Sequence, residues 1–97
     1  MTEVQARKAV HIIVHGFVQG VGFRYFTQKV ARRLGVVGWV KNRRDETVEI
    51  WAEGHEGTLK QFIAFIEEGP AHSLVEQLEL QWAPASEECN NFYIQYL

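Results

Sequence analysis

Polar and apolar residues alternate near the start of the chain. Val10, Ile12 and Val14 interleave with His11, Ile13 and His15, the period-two pattern of a strand. Residues 16–22 hold three glycines and predict a loop. From Phe23 the spacing lengthens: Phe23, Phe26, Val30 and Leu34 recur at helical intervals, and Gly35 supplies a stop. Residues 36–42 predict a second strand with Val37, Trp39 and Lys41 on one face, and residues 43–46 a short polar turn. Val48, Ile50 and Ala52 alternate with Glu49, Trp51 and Glu53, which predicts a third strand with a core face and a wet face. Residues 55–57 break the pattern. Leu59, Phe62, Ile63 and Ile66 then mark a second helix, and Gly69-Pro70 ends it. Leu78, Leu80 and Trp82 predict a fourth strand. After the polar residues 84–91, Phe92, Ile94 and Tyr96 predict a short closing strand.

This order, β-α-β-β-α-β plus a tail strand, predicts the α+β class. The arrangement expected is a ferredoxin-like sandwich: two helices on one face of a mainly antiparallel sheet, with a short fifth C-terminal strand. Strand one, helix one and strand two form a crossover unit, so the two strands run parallel and the crossover is right-handed. The loop at 16–22 and the end of strand two therefore lie at the same edge of the sheet. Asn42 is expected beside the glycine loop although about twenty residues separate them.

Composition narrows the setting. The 97 residues fit one domain, residues 1–97, and 46% hydrophobic content is enough for one core. A single cysteine, Cys89, makes neither an intrachain disulfide nor a cysteine-based zinc site, so a reducing compartment is expected. The chain opens without a charged-then-apolar leader, and no apolar run approaches the roughly 18–20 residues of a membrane span. A soluble cytoplasmic protein with no membrane partner is expected. The net charge of −2 hides an asymmetry: residues 1–44 carry nine of the ten lysines and arginines, and the remainder carries eleven acids. Such a split can mark an anionic partner, or opposite charges scattered over one small surface. The overall balance argues against a dedicated nucleic-acid binder.

The loop itself carries chemistry. Glycines between a strand and a helix permit close backbone approach, and successive N–H groups can converge on an anion. The helix N-terminus adds unpaired N–H groups and a positive partial charge. The ligand implied is phosphate or a similar oxyanion such as sulfate. Arg24 sits in the first turn of the helix, where a cation is disfavoured by roughly 0.3–1 kcal/mol. A bound anion would reverse that penalty, and a guanidinium grips two phosphate oxygens at once. A surface arginine beside a structural glycine turn fits the same pattern. Asn42 offers a donor and an acceptor, enough to hold a water while touching phosphate. It also fits a turn-initiating role before Arg43-Arg44-Asp45.

Gly16-Phe17-Val18-Gln19-Gly20-Val21-Gly22-Phe23-Arg24 resembles the signature of the acylphosphatase family, and Gly38-Trp39-Val40-Lys41-Asn42-Arg43 resembles its second signature. The likeness runs from about residue 9 onward, and Gly69-Pro70-Ala71 adds to it. It implies a ferredoxin-like fold with an added strand and hydrolysis of the carboxyl–phosphate bond of acyl phosphates. It implies phosphate held by the loop amides of Phe17, Val18, Gln19, Gly20, Val21 and Gly22 together with Arg24, and an attacking water positioned by Asn42. It also implies a monomer without metal or other cofactor. The chemistry suits so spare a site. A carboxylate leaves without much protonation, and phosphoryl transfer needs mainly positioning and charge stabilisation. Asn42 is a poor base, so the substrate phosphate is expected to accept the water's proton. Two residues depart from the family pattern: Glu46 stands where Gly is usual, which leaves the turn type open, and Phe17 stands where a polar residue is usual.

Other features carry less. His11 and His15 share a strand face but lack a third metal ligand. His55 and His72 read as surface or turn residues, Arg32-Arg33 and Arg43-Arg44 as solvated charge, and Trp39, Trp51 and Trp82 as packing residues. Cys89 reads as exposed, with no base in reach to activate it. Two other functions share this element order. An RNA-recognition motif would place its glycine-aromatic signature on a central strand, whereas here the glycines separate strand from helix and strand three carries Glu49 and Glu53 with one aromatic. An acylphosphatase-like module of the larger hydrogenase-maturation proteins would serve a partner enzyme.

Overall fold

The computed structural model describes residues 6–96; residues 1–5 and Leu97, part of the expected 1–97 unit, lie outside it. The elements follow the predicted order: β1 (Arg7–Phe17), α1 (Phe23–Leu34), β2 (Val37–Asn42), β3 (Val48–His55), α2 (Glu56–Glu68), β4 (Leu74–Pro84) and β5 (Phe92–Ile94). They build one five-stranded sheet in the order β4-β1-β3-β2-β5, antiparallel except for the β2–β5 pair. This is the expected ferredoxin-like arrangement.

Alternation decides which residues meet the helices. Val10, Ile12, Val14, Val40, Val48, Ile50 and Ala52 point to one face and are buried with Phe23 and Ala31 of α1 and Leu59, Phe62 and Ile66 of α2. Each large side chain contributes roughly 1.5–3 kcal/mol by leaving water. Phe92 of β5 joins this core, with its ring 6.1 Å from that of Phe62. Gln28 Nε2 and Arg32 Nε both donate to the Phe92 carbonyl, at 3.3 and 3.2 Å. Arg32, expected to be solvated charge, thus helps fix the short last strand beneath α1. No described helix is long and apolar enough to cross a membrane.

Four sequence expectations need correction. First, Gly16 and Phe17 belong to β1 and not to the loop: they pair with Val75 and Leu74 after a register shift at His15/Gly16. Gly16 has φ 131°, and a Cβ there would stand 2.0 Å from the Leu74 carbonyl oxygen. Only glycine lets the strand bulge and turn its end toward the loop. Second, Trp82, expected as a packing residue, is exposed, as is Leu80, because β4 is an edge strand that the helices only partly cover. Third, Cys89 is half-buried beside the Glu53 carboxylate, at 3.9 Å. Burial, together with Glu53 and Glu88, pushes its thiol up, away from the reactive thiolate.

The fourth is Glu53, expected on the wet face and found completely buried. Residues around Ser86–Cys89 cross that face and donate to it. Oε2 accepts from Trp51 Nε1 and Ser86 Oγ, both at 2.5 Å, and Oε1 from the Glu87 N–H at 3.0 Å. Burial alone raises the carboxyl's pKa, but these donors together outweigh it and hold it below the usual glutamate range. The folded state therefore favours the carboxylate. That stabilisation is complete above the ordinary glutamate pKa and is lost as pH falls below it. Glu53→Gln, which sets an amide against the same donors, is expected to cost about 2–4 kcal/mol at neutral pH. Urea unfolding from pH 7 to pH 3 should show a shallower acid loss in the variant than in the parent.

Candidate active site

The topology brings the C-terminal ends of β1 and β2 together. Between them, under the N-terminus of α1, lies a cavity of about 90 Å³ lined by Val18, Gly20, Gly22, Phe23, Arg24, Tyr25, Asn42, Ile94 and Tyr96. Arg24 and Asn42 thus face one space, as do three of the six loop residues expected to hold phosphate. Phe17, Gln19 and Val21 are not among its lining residues. Phe17 ends β1 with its ring exposed.

Local backbone geometry leaves the donors of this loop unused. Gly22 caps α1 in the left-handed conformation at φ 78°, with no side-chain cap, and the first turn holds no acidic residue. Among the described residues, no N–H of residues 19–22 donates to another backbone group in a turn or loop. A helix start normally finds a capping oxygen for its free N–H groups. An uncapped helix start of this kind can take an anion as acceptor. Arg24, half-buried, adds a full positive charge, and its guanidinium carbon sits 5.1 Å from the centre of the Tyr96 ring. That stacking holds the fork beside the cavity.

Asn42 presents the complementary feature. Its Oδ1 is buried and has no hydrogen-bond partner. An orphaned buried acceptor costs roughly 1–3 kcal/mol, and this one belongs to a residue that lines the cavity. The turn that follows is a three-residue loop, closed by Arg43 N–H to Thr47 carbonyl at 2.9 Å, with Glu46 N–H on the Arg43 carbonyl at 3.2 Å. Glu46 occupies the left-handed position at φ 70°, where the family more usually has glycine. Asp45 Oδ1 stabilises the loop by accepting from Thr47 N–H and Thr47 Oγ, at 3.1 and 2.5 Å. From the other side, Gln19 Nε2 donates to the Arg43 and Thr47 carbonyls at 2.8 and 2.9 Å.

The sequence reading missed several of these residues. Tyr25 was legible as the position after Arg24 in the first helical turn. Ile94 and Tyr96 reach the cavity only because β5 pairs parallel to β2, and Gln95 N–H continues that register onto the Val40 carbonyl at 2.8 Å. No local pattern announces that pairing. His11 and His15 lie elsewhere, paired with Glu49 and Glu79 on neighbouring strands. Among the described residues no group of three or more His, Cys, Asp or Glu is placed to hold a metal.

Comparison with known proteins agrees with this picture. A family model described as Acylphosphatase matches residues 10–94. An acylphosphatase of Geobacillus thermodenitrificans is 43% identical over 89 residues, covering 92% of this chain and 95% of that protein. The crystal structure of acylphosphatase from Bacillus subtilis superposes with a TM-score of 0.89 at 43% identity, covering 92% of this chain and 99% of that one. The structure of HypF from T. kodakarensis matches at a TM-score of 0.82 and 33% identity, over 93% of this chain but only 12% of HypF.

Proposed function

The chain belongs to the acylphosphatase family and is an enzyme of that kind; from that premise we propose that Arg24 and the amides of the 18–22 loop hold the phosphoryl group of an acyl phosphate while Asn42 orients the attacking water. The observation that carries the proposal is that one cavity is lined by the uncapped start of α1, by Arg24 and by Asn42, whose Oδ1 is buried and unpartnered. Anionic oxygens satisfy the amides and the guanidinium, and a water donates to Oδ1. The water's second proton passes to the phosphate, and the carboxylate leaves without a general acid. Charge neutralisation rests on Arg24 and fixed backbone dipoles, which act strongly where water is excluded.

The size of the cavity supports a division of labour. About 90 Å³ is small beside the roughly 300–1,000 Å³ of pockets that enclose whole ligands. It suits a phosphoryl group, and the acyl group then extends past the exposed rings of Tyr25 and Tyr96. The enzyme is proposed to act as a monomer in the cytoplasm, without metal, on small acyl phosphates.

The test is hydrolysis of benzoyl phosphate by the purified protein in excess chelator, with inorganic phosphate added in increasing amounts. Turnover that survives the chelator and is inhibited competitively by phosphate is expected. No turnover by folded protein, or turnover abolished by chelation, would overturn the proposal.

A further inference from the structure

Gln19 lies between two cavity-lining residues, yet its side chain turns away from the cavity toward the β2–β3 loop. We propose that Gln19 is a positioning residue, which locks the phosphate-holding loop to the strand end that carries Asn42; this rests on the assignment of those two parts made above.

The hydrogen bonds form a closed set. A primary amide has two N–H protons, and both are used, on the Arg43 and Thr47 carbonyls. Each carbonyl has two lone pairs. The Thr47 carbonyl also accepts from Arg43 N–H, and the Arg43 carbonyl from Glu46 N–H. Four donor contacts thus fill four acceptor positions. Arg43 N–H belongs to the peptide plane that begins at Asn42, so the bond to Thr47 that Gln19 shares fixes the backbone of Asn42 itself. Among the described residues, this half-buried amide is the side-chain hydrogen-bond bridge between residues 18–22 and the β2–β3 loop. Loop and strand end move as one body through it.

The reaction gives this bridge a purpose. In-line attack requires water, phosphorus and leaving oxygen to be aligned, and the two halves of that alignment sit on different segments. The loop sets the phosphorus; Asn42 sets the water. A misplacement of about 1 Å between them costs on the order of 10²-fold in rate. Phosphate binding depends on the loop and Arg24 and does not need the bridge. Loss of Gln19 should therefore appear in kcat and spare phosphate affinity.

The experiment compares the parent with Gln19→Met, which keeps side-chain length but has no donor, and with Gln19→Ala. Asn42→Ala and the Gln19→Met/Asn42→Ala double variant complete the set. Each is assayed for benzoyl phosphate kcat and KM and for phosphate affinity by thermal protection, which also reports folding. Expected are a fall in kcat of about 10–100-fold in both Gln19 variants, phosphate affinity within about threefold of the parent, and little further loss when Gln19→Met is added to Asn42→Ala. An unchanged kcat, a loss of phosphate affinity matching the loss of rate, or a full additional loss in the Asn42→Ala background would each overturn the positioning role. If Gln19→Met does not fold, Gln19→Ala carries the same comparison, alone and combined with Asn42→Ala. A parent without turnover, or an Asn42→Ala variant with full turnover, would instead refute the underlying site assignment, so the two failures are distinct.

Discussion

Arg24→Lys is expected to lower kcat/KM for benzoyl phosphate by about 10³-fold and to weaken inorganic phosphate binding at the same time. Lysine keeps the charge and loses the planar fork, so it can approach one oxygen where arginine grips two. It also changes the cation–ring contact with Tyr96, whose centroid lies 5.1 Å from the Arg24 guanidinium carbon. Arg24→Gln should be at least as inactive. Its stability is a separate matter. A cation in the first turn of α1 opposes the helix dipole by roughly 0.3–1 kcal/mol, and the stacking on Tyr96 is worth roughly as much in the other direction. Melting of Arg24→Gln in phosphate-free buffer should therefore lie close to the parent's, and phosphate should stabilise the parent far more. Steady-state kinetics together with thermal scans at several phosphate concentrations would show this pattern. Normal turnover in either variant would remove Arg24 from the mechanism.

Asn42→Ala is expected to lose about 10²–10³-fold in kcat while phosphate still protects the protein as well as it protects the parent. The contrast with Arg24 follows from the roles proposed: one residue meets the phosphoryl group, the other meets the water. The buried Oδ1 has no partner within the protein, so its removal also removes a desolvated acceptor. The variant should be as stable as the parent or more so, the usual sign of a group kept for activity at a cost in stability. A drop in phosphate protection equal to the drop in rate would make Asn42 a binding residue and leave the water without an assigned partner.

The elements were legible wherever one face of a strand or helix meets the core, because burial imposes a period. Val10–Val14, Phe23–Leu34, Val48–Ala52 and Leu59–Ile66 follow such periods. The neighbourhood of the glycine loop and Asn42 was legible too, because the handed crossover leaves little choice of where two parallel strands end. What escaped has a common cause. The burial of Glu53 depends on an irregular stretch near Ser86 crossing the sheet, and irregular backbone has no period to read. The exposure of Leu80 and Trp82 depends on β4 lying at an edge, which the residues of β4 do not encode by themselves. Tyr96 and Gln19 act through partners many residues away, and a side-chain amide looks the same in sequence whether it faces solvent or two carbonyls.

The strand order also governs how the molecule comes into being. β1, among the first segments of the chain, is flanked by β4 and β3, and Lys8 pairs with both Gly54 and Pro84. β1 is therefore paired on both sides only after the chain has closed its longest loops, and their entropy is lost before the contacts repay it. Folding on the millisecond-to-second scale follows for a mixed sheet of such non-local pairings. The cavity lined by the loop after β1 and by Ile94 and Tyr96 depends on the same distant pairings. An anion that binds this cavity only in the folded state is expected to leave the rate of folding nearly unchanged and to slow unfolding, which folding and unfolding kinetics with and without phosphate would show.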